Sequence, residues 1–289
     1  MRFPIFTISR RDWGAALLCC GLWPLAAQAA APPAAPPAAP RIVALAPHLA
    51  ELTCAAGACE QLVGRVAYSD HPQSVAQLPL VGDAFAVNLE ALMVLQPDLV
   101  LAWDGGTSAA QQAQLARLGV QVQALKVETL DEIAGAVRQI GAWAGTAAIA
   151  DQAASDLNDR LQALRAQYAQ RAPLRVLYQI ELQPMFSISK RSPISQAIRT
   201  CGGRNVFADL PGVAAPVNAE AAVAAAPQAI VFSRHEDVAA IRQWWARFPQ
   251  VPAVANAALF EIDGDLLARA GPRMLDGVAQ LCEALQRAR

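Results

Sequence analysis

Apolar residues return along this chain in two alternating rhythms. Short aliphatic runs at 41–45, 63–67, 99–103, 120–125, 175–180, 229–233 and 259–262 are too brief for helices and suit strands buried on both faces. Between them, apolar positions recur every three or four residues at 49–56, 111–118, 130–143, 194–200, 238–248 and 271–288, the period of helices with one buried stripe. Gly57, Gly119 and Gly202-Gly203 stand where such helices would end. Strands and helices taken in turn predict an α/β fold whose mainly parallel sheets are flanked by helices.

The pattern is also written twice. Val87-Asn88-Leu89-Glu90-Ala91, a short helical stretch, Pro97 and Leu99-Val100-Leu101 return 130 positions on (Glu90 to Glu220) as Val217-Asn218-Ala219-Glu220-Ala221, Pro227 and Ala229-Ile230-Val231. In each copy the Asn can cap a helix, the Glu sits in its first turn, and the proline ends it before a buried strand. So long a period fits two similar lobes rather than a solenoid, with a cleft between them for a small ligand. Residues 146–171 contain neither Gly nor Pro, and Ala150, Ala153, Ala154, Leu157, Leu161, Leu164 and Tyr168 line one helical stripe. At 1.5 Å per residue this helix would reach nearly ~40 Å, which suits a rigid strut between the lobes better than a surface helix of one small domain.

Composition adds the compartment. Arg2, Arg10 and Arg11 precede a largely apolar stretch, and Ala27-Gln28-Ala29 fits a signal cleavage site, so residues 1–29 are expected to be a secretory signal; the arginine pair leaves the export route open. Residues 30–40 are only Ala and Pro, expected to be an extended linker. The remaining boundaries are a first lobe at 41–144, a connecting helix at 145–172 and a second lobe at 173–289. The chain is then expected to be exported and not itself to span the membrane, its 55% apolar content inflated by alanine. A net charge of −1 without a basic cluster argues against a nucleic-acid partner. Beyond the signal lie Cys54, Cys59, Cys201 and Cys282; an even count in an oxidising compartment favours disulfides over metal thiolates, with buried free thiols as the alternative. Cys54 and Cys59 flank Gly57 closely enough for a local bridge.

An exported chain with duplicated lobes and a long helix between them resembles the helical-backbone class of periplasmic substrate-binding proteins of ABC importers. Its motifs are most similar to the cobalamin-binding subgroup: Ala67-Tyr68-Ser69-Asp70 before Pro72, Asn88-Leu89-Glu90, Pro97-Asp98-Leu99-Val100-Leu101-Ala102-Trp103 before Gly105-Gly106, Cys201-Gly202-Gly203 with Asn205, Asp265 with Arg269, Gly271-Pro272-Arg273 and Leu281-Cys282. The resemblance implies a monomer that captures cobalamin or a related corrinoid between its lobes and delivers it to a permease dimer. It also implies a Cys201–Cys282 bridge, and docking of Glu90 and Glu220 onto the two permease subunits.

A corrinoid needs aromatic faces and a few hydrogen-bonding groups. The resemblance assigns the rings to Tyr68, Phe85, Trp103 and Phe186, and the polar contacts to Asp265 and Arg269. Two family tryptophans fall near Ala84 and Ala214, which widens or reshapes the cleft and keeps heme or an iron–siderophore complex open as the alternative ligand. His48 and His71 are expected in loops beside the cleft and His235 after a second-lobe strand, a spacing that forms no recognisable metal site. No resident cofactor is expected. Without G-x-S-x-G, H-E-x-x-H or a glycine-rich phosphate loop, the sequence gives no support to an exported enzyme.

Overall fold

The computed structural model describes residues 39–83 and 86–289; the expected signal, nearly all of the Ala/Pro stretch, and both Ala84 and Phe85 lie outside them. In the first half, β1 (Ile42–Ala44), α1 (Pro47–Ala55), β2 (Leu62–Arg65), α2 (Leu89–Val94), β3 (Leu99–Trp103), α3 (Ala109–Arg117), β4 (Gln121–Leu125) and α4 (Leu130–Ala144) follow one another. The connecting helix α5 (Ala147–Tyr168) comes next. The second half contains β5 (Leu174–Gln179), β6 (Phe186–Ile188), α6 (Pro193–Thr200), β7 (Gly203–Asn205), β8 (Ala214–Pro216), α7 (Ala219–Ala224), β9 (Ala229–Ser233), α8 (Val238–Trp245), α9 (Pro252–Ala255), β10 (Leu259–Ile262), α10 (Gly264–Ala268) and α11 (Met274–Arg287).

Each half builds one parallel sheet in the same order, β2-β1-β3-β4 and β7-β5-β9-β10, while β6 and β8 form a separate antiparallel pair. Side chains alternate between faces along a strand, so both faces can be read from the aliphatic runs. Ile42, Ala44, Leu99 and Leu101 face one way into a core that also holds Val176, Tyr178, Ala229 and Val231 of the second sheet. Val43, Leu45 and Val100 face an outer core of the first half, and Leu177, Ile230 and Phe232 one of the second. The shared core contains α1, α4, α5, α6 and α11, so the halves are joined by packed side chains as well as by the chain. From α5 the buried Ala150, Ala154, Leu157 and Leu161 enter it. Arg165 binds both carboxylate oxygens of Asp131 on α4 at 2.7 Å, and Arg160 reaches Asp276 on α11.

The written repeat is a structural one. Asn88 and Asn218 cap α2 and α7 by accepting the N–H of Ala91 and Ala221 at 3.0 and 2.7 Å. Gln96 and Ala226, which follow those helices, both have φ of 44°. The Arg41 guanidinium donates to the Leu95 carbonyl at 2.9 and 3.1 Å, as the Arg175 guanidinium does to the Ala226 carbonyl at 3.0 Å. Each arginine thus ties the start of a lobe's central strand to the end of the short helix.

Cys201 and Cys282 are bonded at 2.03 Å, joining α6 to α11, and Cys54 and Cys59 are bonded at 2.07 Å. Some boundaries shift. The helix expected at 49–56 starts earlier, with Pro47 opening α1, since a first-turn proline needs no N–H partner. The strut spans 22 residues rather than the full 146–171 stretch. Short elements with no period of their own (β6, β7, β8, α9 and α10) were not distinguishable from loops in the sequence.

Candidate ligand cleft

In parallel sheets, ligands gather beyond the carboxyl ends of the strands where neighbouring connections diverge. Here both sheets direct such loops into one cavity of about 520 Å³ between the halves. The first half contributes His48, Trp103, Asp104, Gly105, Val127 and Glu128, all at or just after the ends of β1, β3 or β4. The second half contributes residues 191–194 at the start of α6, Val213 before β8, and Ala268 and Ala270 at the end of α10.

Trp103 is set by its own turn. Its N–H donates to the Thr107 hydroxyl at 3.1 Å, and its carbonyl accepts from the N–H of Gly106 and Thr107 at 3.2 and 2.9 Å. The indole lies over Gly106, where any Cβ would fall within the ring, which explains the Trp103…Gly105-Gly106 motif. His48 meets Trp103 edge-on, ring centroids 5.5 Å apart. Burial, reinforced by the Arg269 charge, lowers the His48 pKa to about 4, so the cavity holds a neutral imidazole at pH 7. On the facing wall the Ser192 hydroxyl caps α6 by accepting from the Ile194 N–H, and Val213 leaves 48% of its surface open. Asp104 and Glu128 are the acids of this lining and Arg191 its base; Glu128 also pairs with Lys126 at 3.2 Å.

A second, polar contact joins the halves beside the cavity. Glu51, on the buried side of α1, accepts from Arg273 at 2.6 and 3.0 Å and lies 3.5 Å from Arg269. Arg269 donates to Asp70 of the first half at 2.7 Å and to Asp265 at 2.8 Å. The hydrogen bond from Arg269 holds the Asp70 carboxyl below its ordinary pKa. Asp265 and Arg269, expected from the resemblance to meet the ligand, bond each other one helical turn apart, Arg269 reaches across to the other half, and neither is among the cavity-lining residues.

The remaining sequence-nominated residues fall in different places. Tyr68 follows β2 at the same end of the sheet, 78% exposed with φ of 64°, and is not among the cavity-lining residues. Phe186 begins β6 and is partly buried, outside that lining. Phe85 lies outside the described residues. Glu90 and Glu220 are exposed in the first turns of α2 and α7. His71 is exposed. His235, Asp263 and Asp265 offer ligand atoms within 4.8 Å of one another, with Arg234 3.9 Å from Asp263 and Arg269 2.8 Å from Asp265. Among the described residues no helix is long and apolar enough to cross a membrane.

Sequence reasoning missed Glu51, Arg191 and the wall formed by Val213. Glu51 had a readable signal, a carboxylate inside the otherwise apolar Leu49-Ala50-Glu51-Leu52 run. The other two depend on where short loops fold back, which no periodicity encodes.

Residues 42–266 match the family model described as periplasmic binding protein. The vitamin B12-binding protein of Salmonella typhimurium is 37% identical over 246 residues, 85% of this chain and 90% of the relative. The crystal structure of periplasmic vitamin B12 binding protein BtuF of Vibrio cholerae aligns with a TM-score of 0.81 at 35% identity, covering 86% of this chain and 98% of that one. Periplasmic heme-binding protein BhuT in complex with two hemes aligns with a TM-score of 0.79 at 25% identity, covering 86% and 98%. With duplicated parallel sheets, a helix packed across both, a cavity at the facing strand ends and these likenesses over most of its length, the chain belongs to the periplasmic binding protein family.

Proposed function

We propose that this chain is the periplasmic substrate-binding component of an ABC importer, capturing cobalamin or a related corrinoid between its lobes and handing it to a membrane permease without chemical change. The observation that carries this reading is the interlobe cavity with Trp103 on one wall and exposed Val213 on the other, in a chain similar along 85% of its length to vitamin B12-binding proteins. A macrocycle with an apolar face and amide edges gains from a ring to lie against and from hydrogen-bonding groups at the rim. In this reading Trp103 and Tyr68 supply rings, Phe186 and Phe85 extend the apolar surface, and Asp265 and Arg269 meet the amide side chains. The exposed, left-handed Tyr68 supports that role, since a bulky side chain in this backbone region costs energy that burial does not return here.

The cavity charge favours a corrinoid over heme. With Glu128 paired to Lys126, Asp104 and Arg191 leave the lining near neutral, which suits neutral amides better than two propionates. Heme has one observation in its favour: His48 presents a neutral imidazole, the donor type that ligates heme iron. The relatives are named for binding, and the Ser192 hydroxyl of the lining is engaged as a helix cap, so the reading includes no catalysis. Glu90 and Glu220, exposed at matching points of the two lobes, are proposed to dock onto a permease dimer of matching pseudo-symmetry.

Calorimetry and visible absorbance on the purified mature protein with cyanocobalamin, cobinamide, heme and a ferric siderophore test the proposal. Saturable one-to-one binding of a corrinoid is expected. Binding of heme alone, with a shifted Soret band that disappears in His48→Ala, would transfer the site to the rival ligand.

A further inference from the structure

The polar contact beside the cavity is built around a carboxylate that exposure does not explain. Glu51 retains 3% of its side-chain surface, and an unpaired carboxylate at that depth would be strongly unfavourable. It is satisfied wholly from the other half, by the Arg273 fork at 2.6 and 3.0 Å and by Arg269 at 3.5 Å. The backbone closes over it: a side chain on Gly271 would start 3.4 Å from Glu51 Oε2 and 3.7 Å from His48 Cβ. Arg269, 13% exposed, also donates to Asp70, which is 55% exposed at the cleft edge, and to Asp265. Residues 269–273, which lead from α10 into α11, are thus gripped by the first half at an inner point, Glu51, and an outer one, Asp70.

We propose that Glu51 is the positioning residue of the cleft: by holding Arg273 and Arg269 across the lobe boundary it fixes where Arg269 and the end of α10 stand, so corrinoid affinity depends on a carboxylate that does not touch the corrinoid. This rests on the reading of the interlobe cavity as the corrinoid site. Ala268 and Ala270, on either side of Arg269, line that cavity, so a displacement of the segment moves one of its walls directly. Trading the carboxylate for an amide keeps the shape but removes the charge that both guanidiniums share, and replaces an acceptor by a donor facing Arg273.

The test is Glu51→Gln, titrated with cyanocobalamin at a temperature where circular dichroism shows it folded. Affinity at least tenfold below wild type is expected. Arg273→Ala should also weaken binding, and adding Glu51→Gln to it should change affinity less than twofold further, because Arg273 is the main partner through which Glu51 holds the segment. Wild-type affinity in Glu51→Gln, or losses that simply add in the double variant, would overturn the proposal. A ligand-free arm separates this outcome from failure of the corrinoid reading. Amide hydrogen exchange of apo Glu51→Gln should speed up at least tenfold in residues 264–277 while β3 stays protected; unchanged exchange there overturns the proposal whether or not cyanocobalamin binds. Should Glu51→Gln not fold, Asp70→Asn removes the outer grip from an exposed position. It should weaken cyanocobalamin several-fold and speed the same amides, and wild-type behaviour on both counts would be contrary.

Discussion

At the amino ends of their central strands the two lobes are near copies, and at the carboxyl ends they are not. Arg41 and Arg175 clasp the ends of α2 and α7 in the same way, Asn88 and Asn218 cap those helices alike, and an exposed glutamate follows each cap. Beyond the strands, the first lobe places His48 and Trp103 at the ends of β1 and β3, whereas the second builds its wall from the start of α6, the residue before β8 and the end of α10. A duplicated scaffold has to be held together in the same manner twice. A ligand without two-fold symmetry puts no such requirement on the surfaces that face it. Asymmetry therefore collects at the cavity, and what remains symmetric, including Glu90 and Glu220, suits a partner that is itself paired.

Four perturbations sharpen the comparison, taken in order of expected size. Only the second lobe has a long covalent loop: Cys201–Cys282 spans 81 positions, against 5 for Cys54–Cys59 in the first. Chain entropy assigns them about 4.5 and about 2 kcal/mol. Denaturant unfolding of the paired Cys→Ala variants should rank them in that order, and an equal or reversed ranking would show that loop length is not what matters.

Next is the buried imidazole of the first lobe. With its folded pKa near 4 against 6.5 in the unfolded chain, His48 favours the folded state fully above pH 6.5 and progressively less as pH falls toward 4, since the unfolded chain then binds the extra proton. Between pH 7 and 4.5 this group alone should remove about 2 kcal/mol. Unfolding curves of His48→Asn should lack that part of the pH dependence, while an identical slope in wild type and variant would mean that His48 is protonated in the fold.

Third is the aliphatic wall of the second lobe. Val213→Ala removes apolar surface from the cavity wall opposite Trp103 and should weaken corrinoid binding by about 1 kcal/mol, roughly fivefold, with little change in stability. An unaltered isotherm would remove Val213 from the ligand surface. Smallest for the fold is the symmetric end. Glu90→Ala and Glu220→Ala each lose only a favourable charge at a helix start, about 0.5 kcal/mol or less at an exposed site. The double variant should nonetheless bind ligand normally and fail in permease association or vitamin uptake, and normal uptake would refute docking through these residues.

Much of the scaffold was legible because its signals are local and repeated. Aliphatic runs marked the four strands of the first sheet and three of the four in the second, the Asn-x-Glu sentence marked the duplication, and the Gly-free, Pro-free 146–171 stretch marked the helix that packs across both halves. Trp103 could be nominated because it stands at the end of a predicted strand and matches an aromatic position of the resembled family, in a motif that continues to Gly105-Gly106. Glu51, Arg191 and Val213 could not be placed, since their roles come from approaches between residues far apart in the chain: Glu51 and Arg273 are separated by 222 positions. The core fused across the lobes was likewise unreadable, because the same stripe on α5 would serve a helix packed on one lobe alone.

The central claim is that a flat ligand lies against the Trp103 face between the lobes. It is tested most directly by calorimetric titration of cyanocobalamin into wild type and Trp103→Ala, with thermal unfolding followed on the same samples. The account predicts one site in the wild type and affinity at least tenfold weaker in the variant, the loss of about 1.4 kcal/mol or more expected for a stacking face, with the unfolding temperature nearly unchanged. Equal affinity in two folded proteins would contradict it.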